Sequence, residues 1–516
     1  MQLPHLPVDR HLPSIEPTEV AAWLMRHAFI NHEGVPILVH RRGAFFLHNG
    51  QSWYEPSHQT IRTMIYASLA GAYVRVVKPR STEHVPYFAN KTKIDHVIDA
   101  LEAAASVDEH LQLPAFSPPQ AGDPTDCSSL LAFSNLTIDC ALHPDVPPPT
   151  HGGTVIDLSS RSIPTTPRLL TLSGITVPYD PTATCPRWCQ ALDEWGNHDP
   201  SWSLSLERML AYALLPTRRF AKWFLLEGQS RAGKGTVLSV LRWLVGPTAM
   251  FSTDFSQLSS HFGLDGIQHA TILAIPEVSS GNTQQRDRIS TILKLSLGED
   301  PISIDVKYSR PLRNVMPAVV PILASNQIPV LANKSGGLSS KMVPIPFDVS
   351  FRGKEDHFLK DTLRSELPGI AARLAQHACA LLGAAARREQ PFTLTDRAKA
   401  RLHLFHMTNN AAEAFLHARF TESPTSRVSY KVLRIYFDDW RTKNRIRLPH
   451  IPDNQFGLWL INNSTWSTLQ TCEWRTGPNG DQRVFGLQGL ALRPEAEDLI
   501  QSAAPTVGRS KEPSAA

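Results

Sequence analysis

The stretch FLLEGQSRAGKGTVLSVLRWLVG, residues 224–246, decides how the rest of this chain is read. An apolar run ends at Gly228, Gly233 and Lys234 follow after a short polar turn, and a second apolar segment then continues with helical spacing. Gly-x4-Gly-Lys between a strand pattern and a helix pattern fits a phosphate-binding loop. The strand delivers the chain to a turn whose N–H groups converge on phosphate oxygens. The helix begins at the same place, adding unpaired N–H groups and a dipole that favours an anion. A glycine-rich turn that binds nothing would not need strand, loop and helix in that order.

The loop residues Gly228, Gly233, Lys234, Gly235 and Thr236 are therefore the candidate nucleotide-binding set, with Lys234 reaching the terminal phosphates of ATP. Mg2+ needs a hard oxygen ligand, normally a Ser or Thr directly after that lysine. Gly235 stands there, so either Thr236 supplies the hydroxyl or the loop differs in shape.

Hydrolysis also needs a carboxylate at the end of a neighbouring strand. ATILAIPEV supplies Glu277, as a metal or water ligand, without the usual second acid beside it. On its own, a glutamate after a core strand reads equally well as a surface residue. PAVVPILASN places Asn326 at the tip of the next apolar strand, where its amide can sense the terminal phosphate; alone, it could equally cap a turn.

Taken in order, GQSRAGKGT, ATILAIPEV, LKLSLGEDPISIDVKY, PILASNQIP and GGLSSKMVPIPF resemble the superfamily 3 helicases. The closer resemblance is to the phage and plasmid primase-helicase C-terminal (D5-like) family. It extends over roughly residues 20–490 and is strongest over 196–350. Upstream, LLAFSNLTID, TVPYDPTATCPRWCQALDEW and SLERMLAYALL resemble the segment that precedes the helicase core, with Leu136 where the family has glycine.

The fold implied is α/β: a P-loop, AAA+-like superfamily 3 helicase core with an N-terminal collar-like accessory region and a C-terminal winged-helix domain. The division expected is an α+β accessory domain at 1–113, a proline-rich linker and pre-helicase segment at 114–195 and the ATPase core at 196–355. A helical connector at 356–427, a winged-helix-like domain at 428–500 and a loose tail at 501–516 complete it.

The resemblance also implies a ring, in all expectation a homo-hexamer, that moves 3′ to 5′ along single-stranded or forked DNA. The implied DNA contacts are Lys307 and Tyr308, with Arg310 and Arg313 nearby, on a loop lining the central channel. A lysine pairs with backbone phosphate and an aromatic ring stacks on a base. The position that reaches into a neighbour's nucleotide falls on Lys341, where the family has arginine; Arg352 is the alternative. Lysine keeps the charge but loses the planar fork that bridges phosphate oxygens. The basic cluster around SYKVLRIYFDDWRTKNRIRLP, including Lys443 and Arg445, could approach duplex DNA or could be a solvated helix face.

The bulk composition agrees with this picture. The chain has 516 residues, room for about three to four domains, and 42% hydrophobic residues, enough for sizeable cores. Its net charge of +4 gives a polyanionic partner only modest support. No apolar run approaches a membrane span and the start lacks a secretory pattern, so the expected location is the cytoplasm of a bacterial host cell, with the six cysteines reduced. The first 120 residues show neither a paired-acid polymerase motif nor zinc-binding cysteine pairs, so a primase or polymerase would be a separate partner.

The leading expectation is an ATP-hydrolysing DNA helicase or replication initiator of a phage, plasmid or integrated element. The alternative is an ATP-dependent DNA-binding assembly factor with little or no unwinding. A third class, a small-molecule phosphotransferase, fits the P-loop but leaves the basic C-terminal module and the long accessory region without a purpose.

Overall fold

The computed structural model describes residues 10–493, apart from 80, 110, 151, 259, 279–281, 299–300, 307–310, 316–318, 332–336, 445, 447, 449 and 478–480. Two compact units divide the chain. One comprises Met1–Val278, Leu295–Asn326 and Ile345–Thr395; the other comprises Ser279–Lys294, Gln327–Pro344 and Asp396–Ala516.

The first unit begins with an α+β module. Helices Pro17–His27, His58–Leu69 and Lys91–Ala104 bury Val20, Leu24, Ile61, Ile65, Ile94 and Leu101 in one core. Ser57 and Asn90 cap the second and third helices, their side chains accepting from Thr60 N and Lys93 N. These caps satisfy N–H groups that the first turn leaves unpaired. Strands Leu38–Arg41, Ala44–His48 and Trp53–Tyr54 form an antiparallel meander. Its first turn is Arg42-Gly43, both at positive φ (50° and 78°), the geometry of a tight two-residue hairpin. Trp53 Nε1 donates to Leu169 O at 3.0 Å, tying the module to the segment that follows.

That segment is a series of short hairpins, among them Leu130–Ala132 with Leu136–Asp139. Two helices then lead into the central sheet: α1 (Pro186–Gly196) and α2 (Pro200–Leu214). Both start with proline at the first helical position, where no N–H partner is needed. The Glu366 carboxylate accepts from Arg187 N and Trp188 N at 3.0 and 2.9 Å, capping α1 from a distant part of the chain.

The central sheet has five strands: β1 (Trp223–Gly228), β2 (Met250–Ser252), β3 (Ile272–Ile275), β4 (Val320–Ser325) and β5 (Met342–Phe347). They lie in the order β2-β3-β4-β1-β5. β2 pairs with β3, β3 with β4 and β4 with β1, all parallel. Every residue of β1, β3, β4 and β5 is buried, as parallel strands covered on both faces require. The helix after β1, α3 (Lys234–Ala249), is interrupted at Gly246, whose φ of 77° and ψ of 173° leave the helical region.

Covering helix α4 (Leu367–Ala386) is buried along almost its whole length and packs on α2. Between them Glu207 is 2% exposed and receives the Arg373 Nε and Nη2 at 3.0 and 2.9 Å, His377 Nε2 at 2.9 Å and Trp188 Nε1 at 3.1 Å. Burial would raise this carboxyl's pKa, but His377 and Arg373 outweigh burial and hold it well below the ordinary carboxylate range. The segment expected as one helical connector over 356–427 is thus divided. Residues 345–395 cluster with the first unit because α4 is apolar on nearly every face and needs cover all round.

In the second unit, Phe420–Ser429 is a strand, where a helical connector was expected, and it pairs with Gln482–Leu492. Gln470–Thr476 pairs on the other side of Gln482–Leu492, giving a three-stranded antiparallel sheet. Helices Ala411–Arg419, Tyr430–Lys443 and Asp453–Asn462 pack Phe415, Phe437, Trp440 and Phe456 into its core. The 420–429 strand carries Pro424 and several polar residues, a pattern that hides strand character in the sequence. Among the described residues, no helix is long and apolar enough to cross a membrane.

Candidate functional site

The loop between β1 and α3 sits at the C-terminal edge of the central sheet. Parallel topology places the ends of β3 and β4 at the same edge, so Glu277 and Asn326 arrive beside the loop. β4 lies between β1 and β3, which puts Asn326 next to the loop and Glu277 one strand further out.

Two glycines make the loop possible. A Cβ on Gly228 would lie 1.9 Å from the Phe347 carbonyl oxygen, so the end of β5 permits only glycine there. Gly233 has φ of 99°, and a Cβ on it would meet Trp195 Nε1 at 2.5 Å. Trp195, 2% exposed and packed edge-on to Trp188, is thus the floor on which the loop rests. From the other side, Ser350 Oγ donates to Ser230 O at 2.9 Å and Phe351 N donates to Arg231 O at 3.0 Å. The loop is clamped between α1 and the chain that leaves β5.

Lys234 Nζ donates to Gly228 O at 2.6 Å, to Gln229 O at 2.7 Å and to Asn326 Oδ1 at 3.0 Å. The ammonium is held by the loop it belongs to and by the residue at the tip of β4. Burial pulls its pKa below the usual lysine range, with the buried Glu227 pulling the other way. A cleft of about 760 Å³ opens above it, lined by Gly233, Lys234, Gly235, Thr236, Glu277 and Asn326 together. Gly235 has open space where a Cβ would stand, so the missing hydroxyl at that position is not a steric demand of the fold.

The opposite wall of the cleft comes from residues that sequence reasoning did not select. Arg187 and Glu194 on α1, and Lys354, Glu355, Asp356, His357 and Lys360 after β5, all line it. Arg187 Nη2 lies 3.2 Å from Asp356 and 3.4 Å from Glu194, and Arg231 Nε lies 3.9 Å from Glu355. The available signal was the charged run RGKEDH directly after a wholly apolar strand. Arg352, within that run, is exposed.

The remaining sequence candidates divide three ways. Lys307, Tyr308, Arg310 and Arg445 lie outside the described residues. Arg313 is exposed on the strand Leu312–Val315, which pairs with Ile302–Ile304 in a two-stranded hairpin. Lys341 ends a short helix, Gly337–Lys341, in the second unit, and Lys443 lies there too, its Nζ 3.0 Å from Asp439. Arg419 and Arg441 also pair with the Asp438-Asp439 dyad, at 2.9 and 3.2 Å, so much of the basic helix face is neutralised within its own fold.

Thr236 and Glu277 offer a hydroxyl and a carboxylate, the hard oxygen donors that suit Mg2+, in the same cleft as the lysine. Among the described residues, no group of three or more His, Cys, Asp or Glu side chains is arranged to hold a metal by itself. A cation here would share its shell with phosphate oxygens and water.

A family of unknown function (DUF5906) matches residues 226–337, the span from β1 through the β4 tip to the start of the Gly337–Lys341 helix. No curated protein matches the chain. Among solved structures, the apo C-terminal region of NrS-1 (305–718) aligns with 11% identity and a TM-score of 0.44, covering 92% of this chain and 99% of that one. An A-form apo structure of the NrS-1 C-terminal region aligns at 10% identity and a TM-score of 0.42, covering 88% and 95%. At that distance no residue's role transfers from those structures to this chain.

Proposed function

We propose that this protein is an ATP-driven motor on single-stranded DNA, a helicase or replication initiator of the superfamily 3, D5-like type. Its working form is a ring, a homo-hexamer, with the nucleotide held between protomers. The observation that carries the reading is the bonding of Lys234 Nζ to Asn326 Oδ1 in a cleft that also holds Thr236 and Glu277. Strand order, loop clamp and polar strand tips together assemble what phosphoryl transfer needs.

On this reading, Lys234 exchanges its bonds to the Gly228 and Gln229 carbonyls for the terminal phosphates of ATP, and Asn326 is released to contact the γ-phosphate or the attacking water. Glu277 orients that water and accepts its proton. Thr236 and Glu277 would hold Mg2+, which would supply positive charge against the phosphates. Lys341, or Arg352, reaches into a neighbour's nucleotide. Arg313, on the strand paired with Ile302–Ile304, grips the DNA backbone together with Lys307, Tyr308 and Arg310 and moves it 3′ to 5′, and Lys443 and Arg445 approach duplex DNA.

A second reading, an ATP-dependent assembly factor with little unwinding, is favoured by one feature: Glu277 is exposed and has no acidic neighbour in sequence. Phosphate release with and without single-stranded DNA, alongside displacement of a strand from a fork, separates the two. Stimulated turnover and unwinding that vanish in Lys234→Ala support the motor. Ring assembly without stimulated turnover supports the assembly factor, and equal unwinding by both proteins removes the assigned site.

A further inference from the structure

A second cavity, about 610 Å³, lies at the opposite edge of the central sheet. Thr271, directly before β3, and Ala221, shortly before β1, line it, whereas the phosphate loop follows the far end of β1. Six residues of strand separate the two places, roughly 20 Å at the usual rise. Four arginines line this cavity: Arg41 and Arg42 from the N-terminal hairpin turn, and Arg218 and Arg219 from the turn before β1. Among the described residues, no carboxylate lines it.

The cationic groups are held in place by backbone carbonyls. Arg218 donates to Leu215 O, Thr217 O and Thr271 O, the last at 2.8 Å. Arg41, 5% exposed, donates through Nη2 to Leu111 O at 2.9 Å, yet its buried Nε finds no hydrogen-bond partner among the described residues. Behind them His269, also 5% exposed, leaves its Nδ1 without a partner among the described residues. Burial, then Arg41 and Arg42, pull His269 down to about 4, so it is neutral at ordinary pH and the arginine field reaches into the protein. Countercharge comes from Glu109 and Asp108 beside Arg41 and from Asp126 beside Arg219.

Bringing guanidinium groups together costs folding energy, since like charges repel and burial removes their water. An orphaned buried Arg nitrogen is open to an anion or a water, and Arg41 presents one in a cavity lined by three further arginines. The mouth of the cavity favours a polymer over a compact anion. Arg219 is exposed there, Asn314 lines the rim, and the exposed Arg313 follows it along the 302–315 hairpin.

We infer that this four-arginine cavity, where the N-terminal module meets the base of the central sheet, binds the phosphodiester backbone of a single nucleic-acid strand. Arg42 and Arg219 make the solvent-facing phosphate contacts, and Arg41 and Arg218 supply the fixed field behind them. The inference rests on the nucleic-acid reading of the chain but not on ATP turnover.

The test uses the full chain in a Lys234→Ala background, so that the phosphate loop does not dominate anion binding. Fluorescence anisotropy with a labelled single-stranded oligonucleotide is followed across a salt series, and inorganic pyrophosphate is titrated by calorimetry. Arg42→Gln combined with Arg219→Gln is expected to weaken strand binding about tenfold and to lower the salt slope by about two. Unchanged strand affinity and slope would overturn the inference. Loss of pyrophosphate binding with strand binding intact would also overturn it, in favour of a small phosphorylated ligand. Should the double variant melt early, Arg219→Gln alone, at an exposed position, is expected to lower the slope by about one. ATP hydrolysis by the protein with Lys234 intact is read separately, so failure of the motor reading leaves this comparison standing.

Discussion

The two ends of the central sheet carry positive charge by opposite means. At the C-terminal edge the loop supplies backbone N–H groups and a helix start, and its own lysine, Lys234, is already bonded to Gly228 O, Gln229 O and Asn326 Oδ1. At the N-terminal edge it comes from four arginine side chains, one with a buried nitrogen left unpaired. The first arrangement can release and recapture a ligand, because its cation has alternative partners within the loop. The second holds a standing charge that Asp108, Glu109 and Asp126 offset from outside the lining. Turnover suits the former and steady grip on a polymer suits the latter.

A third region shows how the fold treats a buried charge that it does not intend for a ligand. Glu207, with Arg373, His377 and Trp188 around it, is enclosed, and both of its carboxylate oxygens accept hydrogen bonds.

The largest effect expected is on catalysis. Lys234→Ala should lower ATP turnover by about 10²–10³-fold, the scale of removing one charged group from a transition state. Its melting temperature should stay close to wild type, which a thermal scan checks. Preserved turnover would erase the difference between the two ends.

Next comes Glu207→Ala, which leaves Arg373 buried without its carboxylate. A loss of about 3–5 kcal/mol in chemical denaturation is expected. The same carboxylate sets a pH dependence. Its folded pKa is depressed, so its contribution is full above the ordinary carboxyl value of about 4.5 and is lost as pH falls below that. Flat stability down through that range in wild type would contradict the assignment.

Gly233→Ala should cost about 1–3 kcal/mol, through a left-handed φ and collision with Trp195. Nucleotide affinity should fall with it, whereas oligonucleotide binding at the arginine cavity should not change. Smallest of all is Gly235→Ser: nothing within 4 Å opposes the new side chain, and stability should move by less than about 0.5 kcal/mol. If Thr236 is the natural hydroxyl donor, the magnesium dependence of turnover should stay the same; a gain in magnesium affinity would show that the loop lacked one.

The loop, its flanking strand and helix, and the tips at Glu277 and Asn326 were legible in the sequence because each is a local pattern. An apolar run closed by glycine, or by one polar residue, carries its own signal. The wall of the cleft was not legible: Arg187 and Asp356 lie far apart in the chain and face each other only because α1 and the segment after β5 converge on the same loop. The strand at 420–429 was missed for a related reason, its register being set by pairing with Gln482–Leu492 rather than by alternation of its own residues.

By itself, then, the sequence determined that an α/β unit carries a Gly-x4-Gly-Lys loop between a strand and a helix, since that information is short-range and written in residue type and spacing. Tertiary structure alone decided that Lys234 bonds Asn326, that Gly233 rests on Trp195, and that Arg41, Arg42, Arg218 and Arg219 share one cavity. Charges separated along the chain acquire meaning only when packing sets the distance and the dielectric between them.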